Sequence, residues 1–263
     1  MKTFVRALVS LMLAGLAAAT PVGAQDSATI MLLLGIPDTD VDVLAGGEAA
    51  VEDFSFGDMQ DLSALAGQTL PGLQVVLAGT DTVAIDAGDT ALPASGNFTI
   101  VAHLDADGEA TISVFENDVS ATAAGQGRLV VRHTAAAPAV DVRAGGAVAL
   151  GNVVNGGEGQ LDLDAGTISA DVVPAGADEP VVIGPADLPV AEGSSLIVYA
   201  VGSLDGGTLT VLTESITGLG ETPTEVPSGN SPVENGFPMA AVALGLIAAM
   251  AAAGGLTLAR KSN

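Results

Sequence analysis

The sequence predicts an all-β fold of two tandem antiparallel β-sandwich domains, followed by one C-terminal transmembrane helix. Three observations lead to this prediction. The chain contains a long internal repeat, its apolar segments are short and separated by Gly- and Asp-containing turns, and it ends in a long uncharged apolar segment.

Residues 1–24 are predicted to be a secretory signal peptide. Lys2 and Arg6 come before an apolar segment at 7–19, and small residues follow at 22–24. This order of basic, apolar and small residues is typical of an export signal, and the apolar segment is short for a membrane span. Cleavage is expected after Ala24.

The other end of the chain predicts a stalk and an anchor. Residues 218–238 are rich in Pro, Ser and Thr, which indicates an extended spacer. Residues 239–259 carry no charge and, as a helix, are long enough to cross a hydrocarbon core of roughly 30 Å. The basic residues of the tail at 260–263 favour the cytoplasmic side. We therefore expect a single-pass cell-membrane protein with extracellular N-terminal domains and a cytoplasmic C-terminus.

The internal repeat predicts the two domains. VDVLAGG at 41–47 recurs as VDVRAGG at 140–146, and further matches follow in the same order along the chain. The repeat indicates two copies of one domain at 28–119 and 126–217, with a short linker of small residues between them.

Each copy is predicted to contain seven or eight short strands and no amphipathic helix. Polar and apolar residues alternate at 40–43 and 161–164, and uninterrupted apolar stretches at 30–34, 97–104 and 195–201 suit strands buried on both faces. Gly-Gly and Asp-Gly pairs stand between them at hairpin spacing. This spacing predicts an immunoglobulin-like or transthyretin-like sandwich, without the Cys-Trp-Cys core of antibody domains.

The charge limits the function classes. The formal net charge is −24, all 31 acidic residues lie between 25 and 238, and residues 29–127 contain no Lys or Arg. Nucleic-acid binding depends on neutralising phosphates with basic residues, so we expect no nucleic-acid partner. The acidity fits either a solvated surface or cation binding. The chain has no Cys, so apolar cores alone must stabilise the domains.

Several segments resemble the bacterial family named domain of unknown function 4397. They are RLVVRHTAAAPAVDVRAGG at 128–146, VVIGPADL at 181–188 and VYAVGS at 198–203, with LLLGIPDTDVDVLAGGE at 32–48 and IVAHLDADG at 100–108 as the other copy. The resemblance implies an extracellular, β-rich protein and supplies no catalytic residues. Copies in this family often place a His at the end of the first strand, where the second copy has His133 and the first has Leu34.

No catalytic motif is found in the sequence, and we expect the protein not to be an enzyme. It lacks G-x-S-x-G, H-E-x-x-H and a phosphate-binding Gly loop. His103 and His133 are its only imidazoles, and their positions in strand-like segments favour a hydrogen-bonded structural role. No cofactor is expected, with calcium the one ion that the sequence leaves open.

Two acidic clusters are candidate calcium ligands. Asp38 and Asp40 form one, and Asp105, Asp107 and Glu109 form the other. Clustered carboxylates are ligands that Ca²⁺ prefers. An Asp-Gly hairpin turn explains the second cluster better, since the Gly that a calcium loop needs is replaced by Ala110.

The sequence therefore predicts a surface-displayed, membrane-anchored, non-enzymatic protein for adhesion, envelope structure or protein recognition. Its partners would be the membrane, through the C-terminal helix, and an unknown extracellular protein. The alternative is a cation (calcium) or small-ligand binding module of the cell envelope.

Overall fold

The computed structural model describes residues 27–219, which form 16 strands and one 3₁₀ turn at Ser63–Leu65. The first eight strands, called the first module, are β1 Thr29–Leu34, β2 Val41–Ala45, β3 Glu48–Phe54, β4 Met59–Asp61, β5 Thr69–Leu77, β6 Val83–Ala91, β7 Asn97–Leu104 and β8 Ala110–Glu116. The last eight, the second module, are β9 Gln126–Ala136, β10 Val140–Ala144, β11 Ala147–Val153, β12 Gly157–Asp164, β13 Gly166–Pro174, β14 Ile183–Val190, β15 Ser194–Ser203 and β16 Thr210–Thr217. The all-β prediction is confirmed for this range.

The two modules have the same strand order. Each has an inner sheet, β4-β1-β7-β8 or β12-β9-β15-β16, and an outer sheet, β3-β2-β5-β6 or β11-β10-β13-β14. An apolar core lies between the inner and outer sheets of each module. This arrangement is consistent with two β-sandwiches.

The prediction of purely antiparallel sheets is wrong at the centre of each inner sheet. There β1 pairs with β7, and β9 with β15, in parallel register. The outer-sheet strands lie between these partners in the chain, so no hairpin forces them to run antiparallel. Parallel pairs are usually buried on both faces, and most residues of these four strands are buried.

A third apolar cluster joins the modules. Leu33, Val101 and Phe115 of the first inner sheet pack with Ile197 and Tyr199 of the second, among others. The inner sheets thus face each other, and the four sheets form a stack with the outer sheets on the outside. The predicted two-sided burial of β1, β7 and β15 is confirmed, and its cause is the other module.

Two reciprocal contacts indicate that the modules are related by an approximate two-fold axis. A Cβ at Gly57, just before β4, would lie 3.5 Å from Cδ2 of Leu212 on β16, and one at Gly156, just before β12, would lie 3.6 Å from Oγ of Ser113 on β8. Ser113 and Leu212 occupy the same position in β8 and β16, because each is paired with the matching residue of β7 or β15. Strand β8 therefore lies next to β12, and β4 next to β16.

Several predictions lie outside the described residues. They are the signal peptide at 1–24, all but the first two residues of the stalk at 218–238, the membrane helix at 239–259 and the tail at 260–263. Within residues 27–219, no helix is long and apolar enough to cross a membrane.

Candidate functional site at the junction between the modules

Arg132 is the centre of the junction between the inner sheets. It comes from the middle of β9 and is only 1% exposed. Its Nε donates to Oε2 of Glu158 at 2.8 Å, Nη1 to the Tyr199 hydroxyl at 2.9 Å, and Nη2 to Oδ1 of Asn117 at 2.6 Å. Its Cζ lies 4.5 Å from the centre of the Phe115 ring. Each guanidinium nitrogen is satisfied, and contacts from both modules hold the buried charge.

The hydrogen bonds continue from Arg132 into both inner sheets. The Tyr199 hydroxyl donates to Oε2 of Glu214 at 2.5 Å, and Thr99 donates to the same oxygen at 3.2 Å. Asn117 donates to Oδ1 of Asn97 at 2.7 Å and to the Thr99 hydroxyl at 3.0 Å. Among the described residues, every buried side-chain nitrogen and oxygen has a partner. We call this set of seven residues the Arg132 network.

The Arg132 network changes the acidity of the only tyrosine in the chain. Burial raises the pKa of the Tyr199 hydroxyl well above its usual value, and the carboxylate of Glu214 raises it further, whereas Arg132 acts in the opposite direction. Tyr199 is therefore a neutral donor to Glu214 over the whole physiological range.

Sequence reasoning missed this network, although the repeat contains a signal for it. Arg132 pairs with Glu158 across β9 and β12, at the positions where Leu33 pairs with Met59 in the first module. The first module thus has an apolar pair at the positions where the second module has an ion pair. A comparison of the two copies would have marked Arg132 and Glu158 as charged residues that replace Leu33 and Met59.

A polar cleft of about 530 Å³ opens beside the Arg132 network, where β7 begins and β8 ends next to β12. It is lined by Gly96, Asn97, Glu116, Asn117, Asp118, Val119, Ser120, Glu158 and Gln160. Hydrogen bonds from the side chain and backbone of Ser120 lower the pKa of Asp118. Its carboxylate also lies 3.0 Å from Nη1 of Arg128. The cleft thus combines amide and hydroxyl groups with carboxylates.

The other two arginines of the described range also lie in ion pairs. Arg128 donates to both carboxylate oxygens of Asp162, at 2.8 and 3.1 Å, and Arg143 donates to both of Asp171, at 2.6 and 2.9 Å. Residues 27–219 contain no Lys. The described surface therefore carries many carboxylates and no uncompensated basic side chain.

The predicted structural role of the two histidines is confirmed by their hydrogen bonds. His103 donates from Nδ1 to the Leu104 carbonyl at 2.8 Å, and its Nε2 lies 2.8 Å from the Ser113 hydroxyl. His133 donates from Nε2 to the carbonyl of Pro138 at 2.9 Å, which fixes the turn after β9. Burial lowers the pKa of both imidazoles. Both are 1% exposed, so neither is placed to act as a base toward a substrate in solution.

The predicted calcium ligands do not form a preformed site. Asp105 accepts backbone hydrogen bonds from Asp107 and Glu109, each at 2.9 Å, and so closes the hairpin turn between β7 and β8. Asp38 and Asp40 are exposed in the turn between β1 and β2. Across residues 27–219, no three His, Cys, Asp or Glu side chains are grouped to hold a metal ion.

Residues 27–219 thus form two all-β modules that are joined by a buried polar network. A family model described as "Domain of unknown function (DUF4397)" matches residues 28–143, which confirms the resemblance to this family for that part of the chain. The match covers the first module and ends inside β10, so membership of the second module stays a prediction. No curated protein matches the chain.

Proposed function

We propose that this chain is a surface-displayed, membrane-anchored, non-enzymatic protein that acts in adhesion, envelope structure or recognition of another protein. The predicted export signal, stalk and anchor would hold the two modules outside the cell. We further propose that both modules are copies of the same family domain, of immunoglobulin-like or transthyretin-like type. Their identical strand order supports this proposal.

The observation that carries the proposal is that every arginine in residues 27–219 forms an ion pair with a carboxylate of the same chain. Arg128, Arg132 and Arg143 stabilise the modules and their junction, and the surface is left anionic. Such a surface repels nucleic acid and anionic lipid, and attracts cationic protein surfaces. It favours recognition of a protein with basic groups.

The proposed absence of catalysis is supported by the engagement of His103 and His133. Nucleophilic hydrolysis needs a base within hydrogen-bond reach of a Ser or Thr and open to substrate. The one histidine that contacts a hydroxyl is His103, which is 1% exposed and lies 2.8 Å from the half-buried Ser113 in the inner sheet.

An attachment assay tests the proposal. Cells that display the full chain should adhere to surfaces coated with basic extracellular proteins, and purified full-length chain in detergent should compete with them. High salt should weaken the attachment because it screens exposed charges. Turnover by the purified chain in a broad hydrolase screen would contradict the non-enzymatic assignment.

A small-ligand binding module is the second candidate, and the cleft beside the Arg132 network favours it. Its volume lies within the range of pockets that hold small molecules, and its donors and acceptors suit a polar ligand. Screening the purified chain against polar small molecules by thermal shift tests this candidate. A hit should be lost in Asn97→Leu, which removes one amide from the cleft wall.

A further inference from the structure

The edges of the four sheets differ in how well they are protected against pairing with another chain. Natural edge strands are usually short, bulged, charged or interrupted by Pro. Six of the eight edges have such a feature: β4 has three residues, β3, β6, β11 and β14 have register shifts, and β12 carries three carboxylates. The two that remain are β8 and β16, which are equivalent edges of the two inner sheets.

Strand β16 is a regular edge of low charge. Its eight residues pair with β15 without any register shift, and it contains neither Pro nor Gly. Its one charged residue, Glu214, is turned toward the junction, where it accepts from Tyr199. Strand β8 is one residue shorter, lies against β6 and ends in Glu116 at the polar cleft. The edge of β16 is therefore the better template for an added strand.

The hydrogen-bond pattern identifies which backbone groups of β16 face outward. Thr208 donates to the carbonyl of Ser203 at 3.0 Å at the start of the β15–β16 hairpin. Because hydrogen-bonded and non-hydrogen-bonded pairs alternate in antiparallel strands, the N–H and C=O groups of Val211, Thr213, Ser215 and Thr217 point away from β15. Among the described residues, none donates to or accepts from these outward groups.

We propose that the outer edge of β16 accepts an extended strand of a partner protein, and that basic residues flank this strand. The proposal rests on the proposed function in protein recognition. Backbone hydrogen bonds to the outward groups would supply the pairing. Asp205 precedes β16, and the hydrogen bond from Leu219 to Gly193 brings the other end of β16 next to Glu192. Lys or Arg at both ends of the added strand would therefore meet carboxylates.

The anionic surface also favours a partner protein over a second copy of this chain as the occupant of the β16 edge. If two copies paired through β16, two anionic surfaces would lie next to each other. The repulsion between their carboxylates opposes this pairing. A strand with basic flanks gains from the same charges.

A proline substitution tests this edge directly. Thr213 is exposed and its N–H points outward, so Thr213→Pro removes a donor needed by an added strand and keeps the bonds to β15. The matched control is Val114→Pro, because Val114 is 56% exposed and occupies the equivalent position on β8. The probe is a fluorescent peptide of alternating Val and Thr with two lysines at each end, and its binding to the full chain in detergent is followed by anisotropy.

We expect the wild type and Val114→Pro to bind the peptide, and Thr213→Pro to bind it at least about tenfold more weakly. A peptide flanked by glutamates should not bind. No binding by the wild type, equal binding by Thr213→Pro, or loss of binding in Val114→Pro would each overturn the proposal. A wild-type dimer that Thr213→Pro dissociates would also overturn it, since the occupant would then be a second copy.

A second measurement keeps the test valid if Thr213→Pro does not fold, which Tyr199 fluorescence would reveal. A peptide N-methylated at alternate residues keeps its side chains and charge but cannot form the backbone ladder. We expect the wild type not to bind it, and binding equal to that of the unmodified peptide would contradict strand addition. If displaying cells still attach to basic proteins while the peptide tests fail, the proposed function stands and only the β16 site is excluded.

Discussion

Replacing Arg132 should weaken the junction between the modules more than replacing Arg132 and Glu158 together. Arg132→Leu leaves the buried Asn117 Oδ1 without its donor and leaves the Glu158 carboxylate without its partner. Breaking a buried ion pair from one side costs about 3–5 kcal/mol. The Glu158 side chain is 33% exposed, and water will solvate part of the remaining charge, so we expect the low end, about 3 kcal/mol.

The double variant Arg132→Leu with Glu158→Met installs the pair that the first module has at Leu33 and Met59. No unpaired carboxylate then remains, and new apolar contacts form across the junction. Replacement of a buried ion pair by apolar residues is often close to neutral, so the double variant should recover at least about half of the loss.

Urea unfolding of the full chain measures both variants. Tyr199 is the only tyrosine, the chain has no Trp, and this tyrosine lies in the Arg132 network, so its fluorescence reports on the junction. Arg143→Leu, which breaks an ion pair in the second outer sheet, should leave the native fluorescence unchanged. A cost below about 1 kcal/mol for Arg132→Leu, or a double variant as unstable as the single one, would refute this account of the junction.

Three further predictions follow from the described side chains. Tyr199 should give no phenolate absorbance in the folded chain at pH 11, because burial raises the pKa of its hydroxyl, and a phenolate signal without unfolding would contradict the buried geometry. The free energy of unfolding should fall as the pH drops below about 6.5, because burial lowers the pKa of His103 and His133 and the unfolded state then binds more protons. His133→Gln should flatten this dependence in urea titrations at pH 7.5 and 5.5, and an unchanged slope would count against His133 as a source. Millimolar Ca²⁺ should raise the thermal midpoint no more than NaCl of equal ionic strength, since no described carboxylates are grouped around an ion site. A rise specific to Ca²⁺ that is lost in Asp105→Asn would support the calcium hypothesis instead.

Structural features that depend on the local sequence pattern could be predicted from the sequence. Alternating and continuous apolar segments predicted the strands, including the two-sided burial of β1, β7 and β15. The turn at Asp105 followed from its Asp-Gly sequence, and the structural role of the histidines followed from their positions in strand-like segments.

Properties that depend on pairing over long distances could not be predicted. The parallel pairs β1–β7 and β9–β15 join strands that are far apart in the chain, and no turn residue encodes their direction. The face-to-face packing of the inner sheets likewise leaves no local signal, since an apolar strand can be covered by either its own module or the next one. Arg132 was visible only as a charge inside an apolar repeat, and its partners came from both modules.

The most direct test of the central claim is protease treatment of intact cells that carry the full chain with an epitope after residue 219. We predict that external protease removes the epitope without permeabilisation, while a short C-terminal fragment stays with the membrane. An epitope protected until the cells are permeabilised, or a chain recovered whole from the medium, would contradict a surface-displayed and membrane-anchored protein.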